Sequence, residues 1–210
     1  MELSARFESF KYDLFQRRTA LSIPAKLSLA LGFAVLTGLL AQIKFYLPFT
    51  PVPVTMQTFA VLLAGVTLGR WWGGASMALY AGLGIAGIPW FANGGSGFGP
   101  TFGYLFGFIL AATLIGYLTD RISQGFSFSR IFGLMAGACV FLIYIPGCLW
   151  LGSWLGLSGR EVNVSSIISM GVLPFIAGDV IKIFIAALIG MVITPKRNAT
   201  DGSRLPSRPF

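Results

Sequence analysis

Apolar positions along the chain gather into six runs, at residues 25–43, 54–68, 71–90, 101–118, 131–155 and 167–193, separated by short polar or Gly- and Pro-rich segments. A helix needs about 20 apolar residues to cross the hydrocarbon core of a bilayer. The pattern therefore predicts an all-α membrane protein, a compact bundle of six transmembrane helices. The second run is short and the last is long, so tilting or kinking is expected in both. Pro174 lies inside the last run and either kinks it or marks where its regular helix begins.

Composition sharpens this picture. The chain is 55% hydrophobic and 10% charged, whereas a water-soluble domain carries about 25% charged residues. Too few polar side chains are present to coat a soluble core. The organisation that follows is a segment 1–24, a membrane domain 25–194 and a tail 195–210 rich in polar residues and proline.

Charge placement adds orientation. With six spans both ends lie on one side, together with Arg6, Lys11, Arg17, Arg18, Lys26, Arg70, Arg121, Arg130, Lys196, Arg197, Arg204 and Arg208. Only Lys44 and Arg160 fall on the other side. Twelve against two is the asymmetry of a positive-inside protein, so both termini are expected in the cytoplasm. The net charge of +8 thus reads as a topology signal that also suits anionic lipids. It does not read as a nucleic-acid surface, because these residues are not interleaved with aromatics on one basic face.

The absence of histidine excludes a zinc site, a Ser-His-Asp triad and a histidine-ligated haem. Cys139 and Cys148, nine residues apart in one run, fall on roughly opposite helix faces. The first twenty residues hold no uninterrupted apolar stretch and do not read as a signal peptide. No glycine-rich phosphate loop is present, so this chain cannot hydrolyse ATP itself.

Candidate chemistry centres on Asp179 and Lys182, the ionisable residues deep within a span. An unpaired charge there costs about 2.5–3.5 kcal/mol on insertion scales, and the i,i+3 spacing lets the two neutralise each other. They are either a structural ion pair or the polar floor of an apolar cavity. Gly178 beside them leaves space for close approach. The segment FANGGSGFGP at 91–100 excludes regular structure and reads as a turn or a binding lid, with Asn93 offering both amide donors and an acceptor. Prolines 48, 51 and 53 stiffen the stretch that leads to Thr55 and Gln57 at the mouth of the second span. Ala30 and Ala34 form a small-xxx-small pair that permits close helix packing, internally or with a partner. Trp71, Trp72, Trp150 and Trp154 suit the interfacial aromatic belt, while Trp90 leads into the glycine segment.

Three segments, PFTPVPVTMQTFAVLLAGVTLG (48–69), GLGIAGIPWFANGGSGFGPTFGYLFGF (82–108) and PFIAGDVIKIFIAAL (174–188), resemble the BioY family. These are the biotin-specific substrate-binding components of energy-coupling factor transporters. The resemblance implies a six-helix binding component of a bacterial plasma membrane, not an enzyme. It would have no cofactor, and biotin would be its transported ligand. Its partners would be a transmembrane coupling protein and two cytoplasmic ATPases, with Ala30 and Ala34 at the coupling contact. By motif the polar site falls on Asp179, Lys182 and Asn93. Walls from Trp90, Phe91, Tyr104 and Tyr80, with Gln57 at the mouth, would cover the ligand. Two departures stand out: Phe102 in GPTFGYL where the family reads GPTGGYL, and Ala177 where it reads PGD.

A carboxylate such as Asp179 can accept the ureido N–H groups of biotin, and Lys182 or Asn93 can donate to its carbonyl. Lys182 could instead meet the ligand carboxylate. Other readings are a binding component for a different vitamin, an intramembrane enzyme using Asp179, and a structural bundle. The enzyme reading lacks a second intramembrane carboxylate and any nucleophile–base constellation.

Overall fold

The structure is a computed structural model that describes residues 18, 20–121, 127–160 and 162–194. The tail 195–210 and most of the segment 1–24, including Arg6, Lys11 and Arg17, lie outside the described residues. The fold is mainly helical. Helix α1 (Ile23–Leu40) starts with a proline in its first turn, where the missing N–H costs nothing. The proline-rich stretch does not stay a plain loop. It closes a two-stranded antiparallel ladder of β1 (Lys44–Phe45) and β2 (Val54–Thr55), with Lys44 opposite Thr55.

Helix α2 (Gln57–Ile85) covers the second and third apolar runs and is broken at Gly69, whose φ of 80° and ψ of −175° belong to glycine alone. A straight helix would separate Gln57 from Tyr80 by about 34 Å. Their side chains are instead hydrogen-bonded at 2.7 Å, so the chain reverses at Gly69 and two arms run back along each other. Several of the polar groups freed by the break have side-chain partners. Asp120 accepts the N–H of Arg70 at 2.9 Å and so caps the second arm. Arg18 donates to the carbonyls of Val66 and Thr67 at the end of the first arm, and also pairs with Asp120. The joint lies between two apolar runs beside Arg70, and these side chains engage backbone groups that the two helix ends leave open.

Helix α3 (Phe102–Arg121) packs against both α2 and the following segment. That segment is one continuous rod made of α4 (Phe128–Gly137), a π-helical stretch (Ala138–Tyr144) and α5 (Ile145–Leu157). Pro146 sits in the first turn of α5; it lacks an N–H for the preceding turn, and the wider π turn accommodates that loss. The last apolar run divides at Val172 into α6 (Val164–Gly171) and α7 (Leu173–Ile193). Pro174 therefore marks the start of the regular helix and does not kink it. Asn163 caps α6 by accepting the Ser166 N–H at 2.8 Å.

Among the described residues four helical stretches, Ile23–Leu40, Phe102–Arg121, Phe128–Leu157 and Val164–Ile193, are long and apolar enough to cross a membrane. Their outer faces carry exposed large apolar side chains such as Leu31, Val35, Phe141, Leu149, Ile181 and Phe184, as lipid-facing surfaces require. The inner faces are packed backbone to backbone. A Cβ on Gly107 would fall on the carbonyl of Leu142 and the Cα of Ile143, so α3 approaches the π stretch as closely as two helices can. Gly107→Val is expected to destabilise the protein by about 1–3 kcal/mol through overpacking. Gly32→Ala, where a Cβ meets nothing within 4 Å, should be neutral. Thermal unfolding of the two variants in detergent, side by side, checks the contrast.

Candidate functional site

A cavity opens where β2, the first turn of α2, the glycine segment, α3, the π stretch and α7 converge. It is open on one side, and its lining is mostly apolar apart from a few polar side chains. Asp179 and Lys182 of α7 form its charged part. They are 3% and 5% exposed, and the Lys182 ammonium donates to Asp179 Oδ1 at 2.7 Å. The other carboxylate oxygen accepts the Tyr144 hydroxyl at 2.6 Å. A carboxylate has about four lone-pair sites and an ammonium three N–H groups. Two acceptor sites of Asp179 and two donors of Lys182 therefore remain for a ligand.

Tyr144 was not legible as a site residue in the sequence. A tyrosine in an apolar run is ordinary, and the one hint was its position just before Pro146. The π turn that ends at Tyr144 is what rotates this side chain relative to a regular helix.

Gln57, Phe91 and Tyr104 also line the cavity. Gln57 is held by a hydrogen-bond chain. Thr55 Oγ1 donates to Gln57 Oε1 at 2.8 Å, and Gln57 Nε2 donates to the Tyr80 hydroxyl. That hydroxyl reaches the Trp90 carbonyl, while the Trp90 indole N–H returns to the Tyr80 carbonyl at 3.0 Å. Tyr80 and Trp90 are thus not walls. Tyr80 is fully buried behind the lining, with its ring against Trp90 and edge-on to Phe91, and the pair fixes Gln57 and Phe91 from behind. Tyr104 spends its hydroxyl on the Gly171 carbonyl at 2.8 Å and offers the cavity only its ring.

Asn93 is exposed at the tip of the glycine segment and does not line the cavity; its amide oxygen accepts from Lys44 at 3.0 Å. The segment itself is a closed turn, pinned by the Phe91 N–H to the Gly95 carbonyl and by Gln42 to the carbonyls of Trp90 and Phe91. Phe102 packs between Phe98 and Trp150 and stays out of the lining. Ala177 is exposed on the far face of α7. Both departures from the family pattern therefore leave the cavity wall intact. Ala30 and Ala34 are completely buried in this chain, where α1 packs on α2. In this arrangement they are not at a surface that a partner could reach, because the close approach they permit is used internally. Among the described residues no group of three His, Cys, Asp or Glu side chains could hold a metal ion.

A BioY family profile matches residues 15–199. A probable biotin transporter BioY of Methanothermobacter thermautotrophicus is 47% identical over 139 residues, covering 64% of this chain and 88% of that relative. The biotin transporter BioY of Thermotoga maritima is 38% identical over 149 residues, covering 69% and 82%. Among solved structures, the S-component for biotin from an ECF-type ABC transporter superposes with a TM-score of 0.71 at 23% identity, covering 81% of this chain and 93% of that one. The superposition establishes a shared fold.

Removing one member of a buried pair strands the other charge, at a cost of about 3–5 kcal/mol. Lys182→Met is expected to destabilise the protein on that scale. The double change Asp179→Asn with Lys182→Met should cost less than the single one, and thermal unfolding of the set in detergent measures the coupling.

Proposed function

The chain belongs to the BioY family, and on that premise we propose that it is the biotin-binding, multi-pass membrane component of a vitamin-uptake transporter. The observation that carries the reading is the buried Asp179–Lys182 pair, which faces a small-molecule cavity with unused acceptors and donors on both partners. The ureido ring of biotin has two N–H donors and one carbonyl. Asp179 accepts a ureido N–H and Lys182 donates to the carbonyl, so the ring adds bonds in parallel with the ion pair. Phe91, Tyr104, Phe108 and Phe175 cover the thioether ring and the apolar chain. An analogue lacking a ureido group leaves a buried polar atom unpaired, which is how such a site discriminates.

The chain works as a binding component and not as an enzyme. Six spans are supported by the four long apolar stretches together with the two antiparallel arms of α2. The uneven distribution of Lys and Arg along the sequence supports both termini in the cytoplasm of a plasma-membrane protein. The solved relative is part of an ECF-type ABC transporter. By that likeness this chain passes biotin on together with a membrane coupling protein and two cytoplasmic ATPases, since it has no phosphate loop of its own.

Labelled biotin should bind the purified protein in detergent, without partners, saturably and with nanomolar affinity. Asp179→Asn should weaken binding by roughly 10–100-fold, the loss expected for hydrogen bonds to a charged group. A well-folded preparation that binds no biotin would overturn the reading, and the same assay would then move to other vitamins. For orientation, Cys139 and Cys148 are replaced by alanine and single cysteines are set at the exposed positions Ser127 and Arg160. An impermeant thiol reagent on whole cells should label the cysteine at 160 and spare the one at 127. Labelling of both, or the reverse pattern, would reject the orientation.

A further inference from the structure

The cavity's own charges cancel, because Asp179 and Lys182 are bonded to each other and, among the described residues, no other Asp, Glu, Lys or Arg lines it. Biotin, however, ends in a carboxylate that is ionised at neutral pH. Lys182 is poorly suited to meet that group: it is buried against Asp179, and a second carboxylate there would face like charge. A different cation stands at the rim.

Lys44 pairs in the ladder with Thr55, a lining residue, and its ammonium crosses to Asn93, next to the lining residues Phe91 and Ala92. The side chain thus bridges the cavity's edge from β1 to the glycine turn. It is half-buried, and among the described residues its side-chain hydrogen bond goes to a neutral amide oxygen. No carboxylate partner lies beside it among the described residues. Two ammonium N–H groups are left over, and the Asn93 amide N–H₂ makes no hydrogen bond among the described residues. Asn93 is also the one described non-glycine residue with positive φ, at 66°, which holds its amide at the tip of the turn beside Lys44. An ammonium and an amide N–H₂ side by side match the two oxygens of a carboxylate. Arg160, the other cation assigned to this end, belongs to the turn after α5 and is not part of the lining.

We propose that Lys44, tethered by Asn93, reads the carboxylate end of the ligand at the cavity's rim, while Asp179 and Lys182 read the ureido end at its floor. This rests on the biotin reading above and adds a residue that selects for the free acid.

The test compares biotin with biotin methyl ester on the full-length wild type, Lys44→Gln and Lys44→Arg, by equilibrium binding in detergent. The wild type should prefer the acid by about fivefold, the scale of a part-exposed ion pair. Lys44→Gln should weaken acid binding, leave ester binding unchanged and erase the preference. Lys44→Arg should keep the preference, because the charge is retained. If Lys44→Gln still prefers the acid as the wild type does, or weakens acid and ester equally, Lys44 does not read the carboxylate. A wild type that binds both ligands equally well also overturns the role of Lys44 and leaves the biotin reading standing. A folded wild type that binds neither compound removes the biotin reading and the role of Lys44 with it.

Discussion

A carboxylate that is 3% exposed inside an apolar bundle cannot persist as an isolated charge. An unpaired ion in such surroundings costs several kcal/mol. Everything around Asp179 answers that constraint. Lys182, one turn along α7, supplies the countercharge, and Tyr144 supplies a hydroxyl from the facing rod. The π turn that ends at Tyr144 aims this side chain into the cavity. On its other side the same π stretch packs closely on α3, which the missing side chain at Gly107 permits. The ion pair, the close helix approach and the local unwinding thus form one arrangement in which each element has a physical reason to be where it is.

Breaks elsewhere in the bundle follow the same logic with backbone groups in place of side-chain charges. The reversal at Gly69 frees carbonyls at one helix end and N–H groups at the next start. Arg18 and Asp120 engage both sets. The cavity depends on this remote joint, because only the reversal brings Tyr80 back beside Gln57 and builds the hydrogen-bond chain that steadies the wall. A helix running straight through residue 69 would leave the glycine segment far from the mouth it now edges.

Much of this was legible in the sequence, and the limits have physical causes. Asp179 and Lys182 stood out because charge is costly in an apolar run, whatever the tertiary structure. The break near residue 69 was visible because glycine and charge interrupt hydrophobicity, while Pro174 pointed to an irregularity in the last run without deciding between a kink and a helix start. How each break is capped was not visible, since Asp120 lies fifty residues from Arg70 and nothing local links them. Tyr80 and Trp90 read as walls because aromatic residues near a loop commonly are. Their polar atoms are instead spent on each other and on Gln57, a fact that only packing determines. Ala30 and Ala34 had the spacing for close approach, but spacing alone does not say which neighbour approaches; here it is the chain's own α2.

The pairing at the cavity floor bears on what kind of ligand a site like this can hold. An empty cavity with one unpaired charge would demand water or a counterion, and a ligand would first have to displace it. Here the two charges already satisfy each other, so the floor carries no net charge, and a ligand gains by using the remaining donors and acceptors. A small neutral ring with donors and an acceptor at its edge meets that requirement, whereas an anionic head would set its charge against Asp179. An anionic ligand must therefore enter with its charged end toward the mouth, where Lys44 and open solvent lie, and its neutral end toward the floor. The distribution of charge thus gives the cavity a direction as well as a shape.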